Sequence, residues 1–162
     1  METDPVEELR MLAIRQRLDG VVRADLLIEA AVRAVTRGVD SPSLPCLAGL
    51  TRQEEPEAQN LFRAVVGELG IAPPEPTEGR WELVRWWCRE IVGGRLRPEV
   101  GGRLIWFEGW QELGYPDCLQ PLVGWTSEWE DWSPDWGVGR DRYERKIVAQ
   151  AETLLAGPWP PE

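Results

Sequence analysis

The chain predicts an all-α fold, and three observations carry that prediction. Apolar residues recur at three- and four-residue spacings along most of the 162 residues. No stretch alternates apolar with polar residues as a half-buried strand would. Glycine or proline punctuates the periodic runs where helices start and stop. The expected architecture is a single compact domain over residues 1–157 with six to seven helices in an orthogonal, bundle-like arrangement. A helix near 98–113 is expected at its buried centre, and residues 158–162 are expected to form a frayed tail.

Taken in order, the first helix starts at Asp4–Pro5 and stops at Gly20, with Val6, Leu9, Leu12, Ala13 and Ile14 on a broad apolar face. The second carries Val22, Leu26, Leu27, Ala30, Ala31, Ala34 and Val35, and Gly38 closes it. So short a joint between them predicts an antiparallel pair. Asp40 to Thr51 reads as a loop with a short apolar patch from Cys46 to Leu50. Thr51 and Glu54 have capping-box spacing ahead of a helix with Ala58, Leu61, Phe62, Val65, Val66 and Leu69, closed by Gly70. Ala72 to Gly79 is a Pro-rich surface loop.

The next helix runs from about Glu78 to Val92 with Trp81, Val84, Trp87, Cys88, Ile91 and Val92 on one face. The helix from Pro98 to Leu113 is apolar around most of its circumference, the mark of a buried element. Gly101, Gly102 and Gly109 within it call for close helix–helix approach, since each costs about 1 kcal/mol of helix propensity against Ala. Pro116 and Pro121 predict that any helix before Gly124 is short or broken. Ser127 and Glu130 have capping-box spacing for a short helix to Trp132, stopped at Ser133–Pro134. The last helix spans Asp141 to Ala156.

Charge is distributed unevenly. The net charge is −10, yet residues 104–139 alone hold seven acids and no Lys or Arg, beside six of the ten tryptophans. A field of that sign repels nucleic-acid phosphates and anionic lipid and attracts cationic partners, so nucleic-acid and membrane binding are not expected. No run approaches the length of a membrane span, and the acidic Met-Glu-Thr-Asp-Pro start has no secretory pattern, so a cytoplasmic location is expected. Seventeen arginines against the single Lys146 suggest a GC-rich bacterial genome. Cys46, Cys88 and Cys118 lack metal-ligand spacing and read as free, buried thiols.

Histidine is absent, which removes the commonest general base and the Ser–His and Cys–His nucleophile pairs. The reading therefore leans away from an enzyme, with no catalytic residue, metal or cofactor assigned. Trp125, Trp129, Trp132 and Trp136, spaced four, three and four, are the candidate binding residues, with Glu128, Glu130, Asp131 and Asp135 as their acidic rim. Aromatic anchors inside such a rim suit a basic protein partner. The alternative is a small-molecule binder or Mg²⁺-dependent hydrolase using Glu108, Glu112, Glu128 and Asp131 as oxygen ligands.

Glu68-Leu69-Gly70, Ile91-Val92 with Gly94, then Pro98, Gly102 and Ile105-Trp106 resemble short patterns in small bacterial all-α proteins. The likeness covers about a quarter of the chain. Some acidic proteins of that kind are immunity or accessory factors for toxins. The resemblance therefore implies a non-enzymatic, protein-binding role.

Overall fold

The computed structural model describes residues 3–162, and among them it has eight α-helices and no strand. No described helix is long and apolar enough to cross a membrane. The chain divides into two compact units, with the boundary between Gly79 and Arg80.

The first unit packs α1 (Pro5–Asp19), α2 (Ala24–Thr36), α3 (Leu44–Ala48) and α4 (Glu55–Glu68). Asp4 caps α1 by accepting a hydrogen bond from the Val6 N–H at 2.9 Å, and Gly20 ends it at φ +83°. Glu8 near the start of α1 pairs with Arg33 near the end of α2, so the two helices run antiparallel. This hydrogen-bonded pairing also raises the Arg33 pKa. Leu9, Leu27, Leu44, Leu47, Phe62 and Val65 fill the core, and Ala13, Ala30, Ala31 and Ala34 let the helices approach closely.

Two carboxylates from α4 tie this unit together. Arg23 supplies no side-chain cap for α2; instead the Ala24 N–H donates to both oxygens of Glu55, at 3.0 and 3.2 Å. At the other end of α4, Glu68 accepts from the hydroxyls of Ser41 and Ser43 and from the Ser43 N–H at 2.9 Å. Those donors, Ser41 first, hold the Glu68 carboxyl below its ordinary range.

Several expectations require correction. The apolar patch at 46–50 belongs to α3, begun by Leu44-Pro45; its proline sits in the first turn, where the missing N–H costs nothing. The Thr51–Glu54 pair does not cap α4. Glu54 instead reaches back to the Thr51 N–H at 2.7 Å, closing a turn one residue ahead of the helix. Cys46 is exposed and Cys118 only partly covered, so of the three free thiols only Cys88 is buried, and burial pushes it up to about 12.

The second unit contains the rest of α5 (Pro76–Val92, from Arg80 onward), α6 (Pro98–Leu104), α7 (Gln120–Asp131) and α8 (Asp141–Ala156). The expected central helix at 98–113 runs without a break from Pro98 to Trp110, but not as one α-helix. After α6 the backbone widens into a π-helical turn, Ile105–Trp110, before unwinding towards Gly114. Its burial is also narrower than the apolar residues implied: Gly101, Gly102, Ile105 and Gly109 face inward, while Val100 and Phe107 are exposed. α7 starts seven residues earlier than its expected onset at Ser127, because Pro121 occupies the first turn rather than breaking the helix. Ser127 and Glu130 therefore lie inside a helix and cap nothing.

The glycines of α6 and the π turn do allow close approach. A Cβ at Gly102 would overlap the Thr126 hydroxyl of α7, one at Gly109 would lie 2.7 Å from a Val84 methyl, and one at Gly101 would run into Ile91. Thr126 is fully buried, with its hydroxyl donated to the Leu122 carbonyl at 2.9 Å, so it has no free rotamer with which to yield.

Two stability tests follow from this packing. Gly102→Ala should lower stability by about 1–3 kcal/mol, since overlap with Thr126 outweighs the propensity gain. Gly124→Ala on α7, where an added Cβ meets nothing within 4 Å, should raise it by up to about 1 kcal/mol. Urea denaturation of both variants separates packing from propensity.

The Glu68 cluster predicts a pH effect. Its folded-state pKa is depressed, so its contribution is present above the unfolded value near 4.5 and is lost as pH falls through the folded value. Glu68→Gln should be less stable than wild type at pH 7, and the difference should shrink in acid below that value. Unfolding free energies measured across pH 2–7 check this.

Candidate interaction surface

The acidic aromatic segment is built from α7, the chain that follows it and the first turns of α8. Leu122, Val123 and Thr126 form the buried face of α7, so Trp125 and Trp129, one turn apart, flank that face and stay half-buried. The helix ends at Asp131, and Trp132 has extended backbone at φ −52°, ψ 138°. Trp125, Trp129 and Trp132 thus do not form one continuous helical stripe. A short 3₁₀ turn, Pro134–Trp136, capped by the Ser133 hydroxyl, brings Trp136 back against the same neighbourhood.

Tyr143, in the first turn of α8, is the residue that gathers these rings. Trp125 lies 6.2 Å from it, centroid to centroid, and Trp136 packs edge-on at 6.0 Å. The phenol is buried while Trp136 remains 43% exposed. Trp125, Tyr143 and Trp136 therefore make an aromatic ridge with Trp136 at its open edge.

Trp129 and Trp132 are engaged differently. The Arg140 guanidinium sits 3.6 Å over the Trp129 ring and 5.8 Å from that of Trp132, and its Nε–H donates to the Trp129 carbonyl at 3.1 Å. The Trp129 indole N–H donates to Glu144 at 3.2 Å, and that of Trp132 to the Val138 carbonyl at 2.9 Å. Each polar tip is satisfied within the chain, and the Trp129 face already carries a cation.

The acids also divide. Glu130 pairs with Arg103 at 3.1 Å. Glu128 and Asp131 are exposed on α7, and Asp135 is exposed next to Trp136 along the chain. None of these last three has an ion-pair partner among the described residues. Lys146 lies 5.5 Å from the Trp125 ring.

Arg140, Tyr143 and Glu144 were not among the residues expected here. A charge count that stops at Gly139 leaves out, by one position, the arginine seated on Trp129. The Gly137-x-Gly139 spacing just before it is the available signal, because such a link lets the chain double back.

Other tryptophans of this unit pack away from that surface. Trp87 is buried, and Trp81 receives Trp159 edge-on, whose indole donates to the Trp81 carbonyl at 3.1 Å. The Arg85 guanidinium lies 5.7 Å from the Trp159 ring. These contacts involve residue 159 of the stretch expected to fray.

Among the described residues no three of His, Cys, Asp and Glu gather so as to hold a metal ion. Glu108 falls in the π turn, whose wider hydrogen-bonding spacing disrupts the α-helical alignment that four-residue spacing with Glu112 implied. No family model, no curated protein and no solved structure matches the chain.

Replacing Arg140 tests the aromatic seat. Arg140→Ala should cost about 1–2 kcal/mol and change Trp129 fluorescence. Arg140→Lys should restore little, since an ammonium offers neither the planar stack nor the Nε–H bond to Trp129. Denaturation curves and emission spectra of both variants provide the check.

Proposed function

We propose that the protein is a non-enzymatic, cytoplasmic interaction protein that binds and masks a basic protein partner, as an immunity protein or adaptor would. The observation that carries this reading is the exposed Trp136 edge of the Trp125–Tyr143–Trp136 ridge, in a segment whose exposed carboxylates Glu128, Asp131 and Asp135 have no ion-pair partner among the described residues. Some other acids of the molecule do have arginine partners, as in Arg33–Glu8, Arg95–Glu90 and Arg103–Glu130. Three exposed carboxylates within eight residues of chain, with none of that kind of partner, give the segment a negative field that a basic surface would relieve.

The roles divide accordingly. Trp136 is the anchor, because its ring is accessible and backed by buried Tyr143. Glu128, Asp131 and Asp135 steer association. Trp129 and Trp132 shape the surface from behind, their polar groups being already bonded. The Arg140 seat on Trp129 supports the choice of partner chemistry, as it shows a guanidinium accommodated by this aromatic environment.

Affinity capture from the native cell, followed by binding kinetics on the captured partner, tests the assignment. Trp136→Ala should speed dissociation by about tenfold or more. Glu128→Lys with Asp131→Lys should slow association by about tenfold at low salt and remove its salt dependence. A partner indifferent to both changes would falsify the placement of this surface.

A further inference from the structure

A recess in the first unit carries charge of the opposite sign to the molecule as a whole. It opens between α1 and α4 beside Pro73, has a volume of about 350 Å³, and is lined by Ala13, Gln16, Arg17, Arg63, Val66 and Pro73. Its walls are apolar at Ala13, Val66 and Pro73, and two arginines, Arg17 and Arg63, border it.

Neither guanidinium has a carboxylate partner among the described residues. Arg17 donates only to the Pro73 carbonyl, at a long 3.4 Å, and Arg63 only to the Asn60 side-chain oxygen, at 3.2 Å. Each guanidinium has five N–H donors, so most remain unused. In a chain with 28 acids to 18 basic residues, acidic partners are not scarce. Arg23, Arg33, Arg95, Arg97, Arg103 and Arg145 all have one. Gln16 is held firmly. Its amide N–H donates to Gln59 at 2.9 Å, and Gln59 in turn donates to the Val22 carbonyl, leaving the Gln16 oxygen as an unused acceptor.

The geometry points to a binding site for a small amphipathic carboxylate, a monoanion with an apolar body. The guanidinium fork matches a carboxylate in shape and donor spacing. The apolar wall requires more than a bare anion, and the volume lies at the lower end of ordinary small-molecule sites. The net charge of −10 disfavours polyanions, which restricts the ligand to low charge. Arg17 and Arg63 hold the carboxylate, and Ala13, Val66 and Pro73 cover the apolar body. This site is independent of the Trp136 surface.

Octanoate and 4-phenylbutyrate are suitable probes, titrated into the full chain up to about 10 mM while amide chemical shifts are followed. Saturable shifts should appear at Gln16, Gly20 and Val66. Octan-1-ol, which lacks the charge, and inorganic phosphate, which lacks the apolar body, should leave them unmoved. Arg17→Ala with Arg63→Ala should weaken both acids at least about tenfold. Both side chains are exposed, so the fold should tolerate the change, which the unperturbed remainder of the spectrum verifies. Val66→Trp, filling the recess, should abolish binding with both arginines intact. No binding of either acid in that range, binding that survives the double change, or equal binding of octan-1-ol would each overturn the proposal.

Discussion

The meeting of α6 and α7 at Gly102 and Thr126 sets much of the second unit. With no side chain at Gly102, the helix backbone comes up against a buried threonine whose hydroxyl is already committed to Leu122. Interiors packed at this density yield little, so such an approach sets the rotation of α7 about its own axis. Once Leu122, Val123 and Thr126 are turned inward, Trp125 and Trp129 must lie at the edge of the buried face. Glu128 and Asp131 must then face solvent. The candidate surface is thus a consequence of a glycine some twenty residues before it.

Polar satisfaction across elements is the second organising theme. In the first unit, Glu55 caps the start of α2 and Glu68 gathers Ser41 and Ser43, so α4 holds its neighbours at both ends. In the second, the indole N–H groups of Trp129, Trp132 and Trp159 all reach acceptors on other segments. Tryptophan suits this use, because a large apolar body and a single donor can serve the core and a cap together.

Charge shows the same distinction between local and spatial order. Along the chain, residues 104–139 are purely acidic. In space, Arg103 neutralises Glu130, Arg140 covers Trp129, and Lys146 approaches Trp125. What survives this compensation is smaller: Glu128, Asp131 and Asp135, exposed and without an ion-pair partner among the described residues. The converse holds at the recess beside Arg17 and Arg63, where an acidic molecule leaves two cations uncompensated.

The helical class was legible in the sequence, as were the ends at Gly20, Gly38 and Gly70 and the last helix from Asp141 to Ala156. Periodicity and the left-handed freedom of glycine act over a few residues and need no partner. Less was legible where a local signal has two meanings. Pro45 and Pro121 read as breakers but start helices, since a proline in the first turn loses no hydrogen bond. Thr51–Glu54 and Ser127–Glu130 share one spacing, yet the first closes a turn and the second lies within a helix. The sequence by itself determined which segments coil and where acid and tryptophan concentrate, because propensity and composition are properties of neighbours along the chain. Only the tertiary structure decided that Arg140 covers Trp129, that Tyr143 gathers Trp125 and Trp136, and that Glu55 caps α2. Those pairings join residues far apart along the helical register, and they depend on how buried faces rotate the helices against one another.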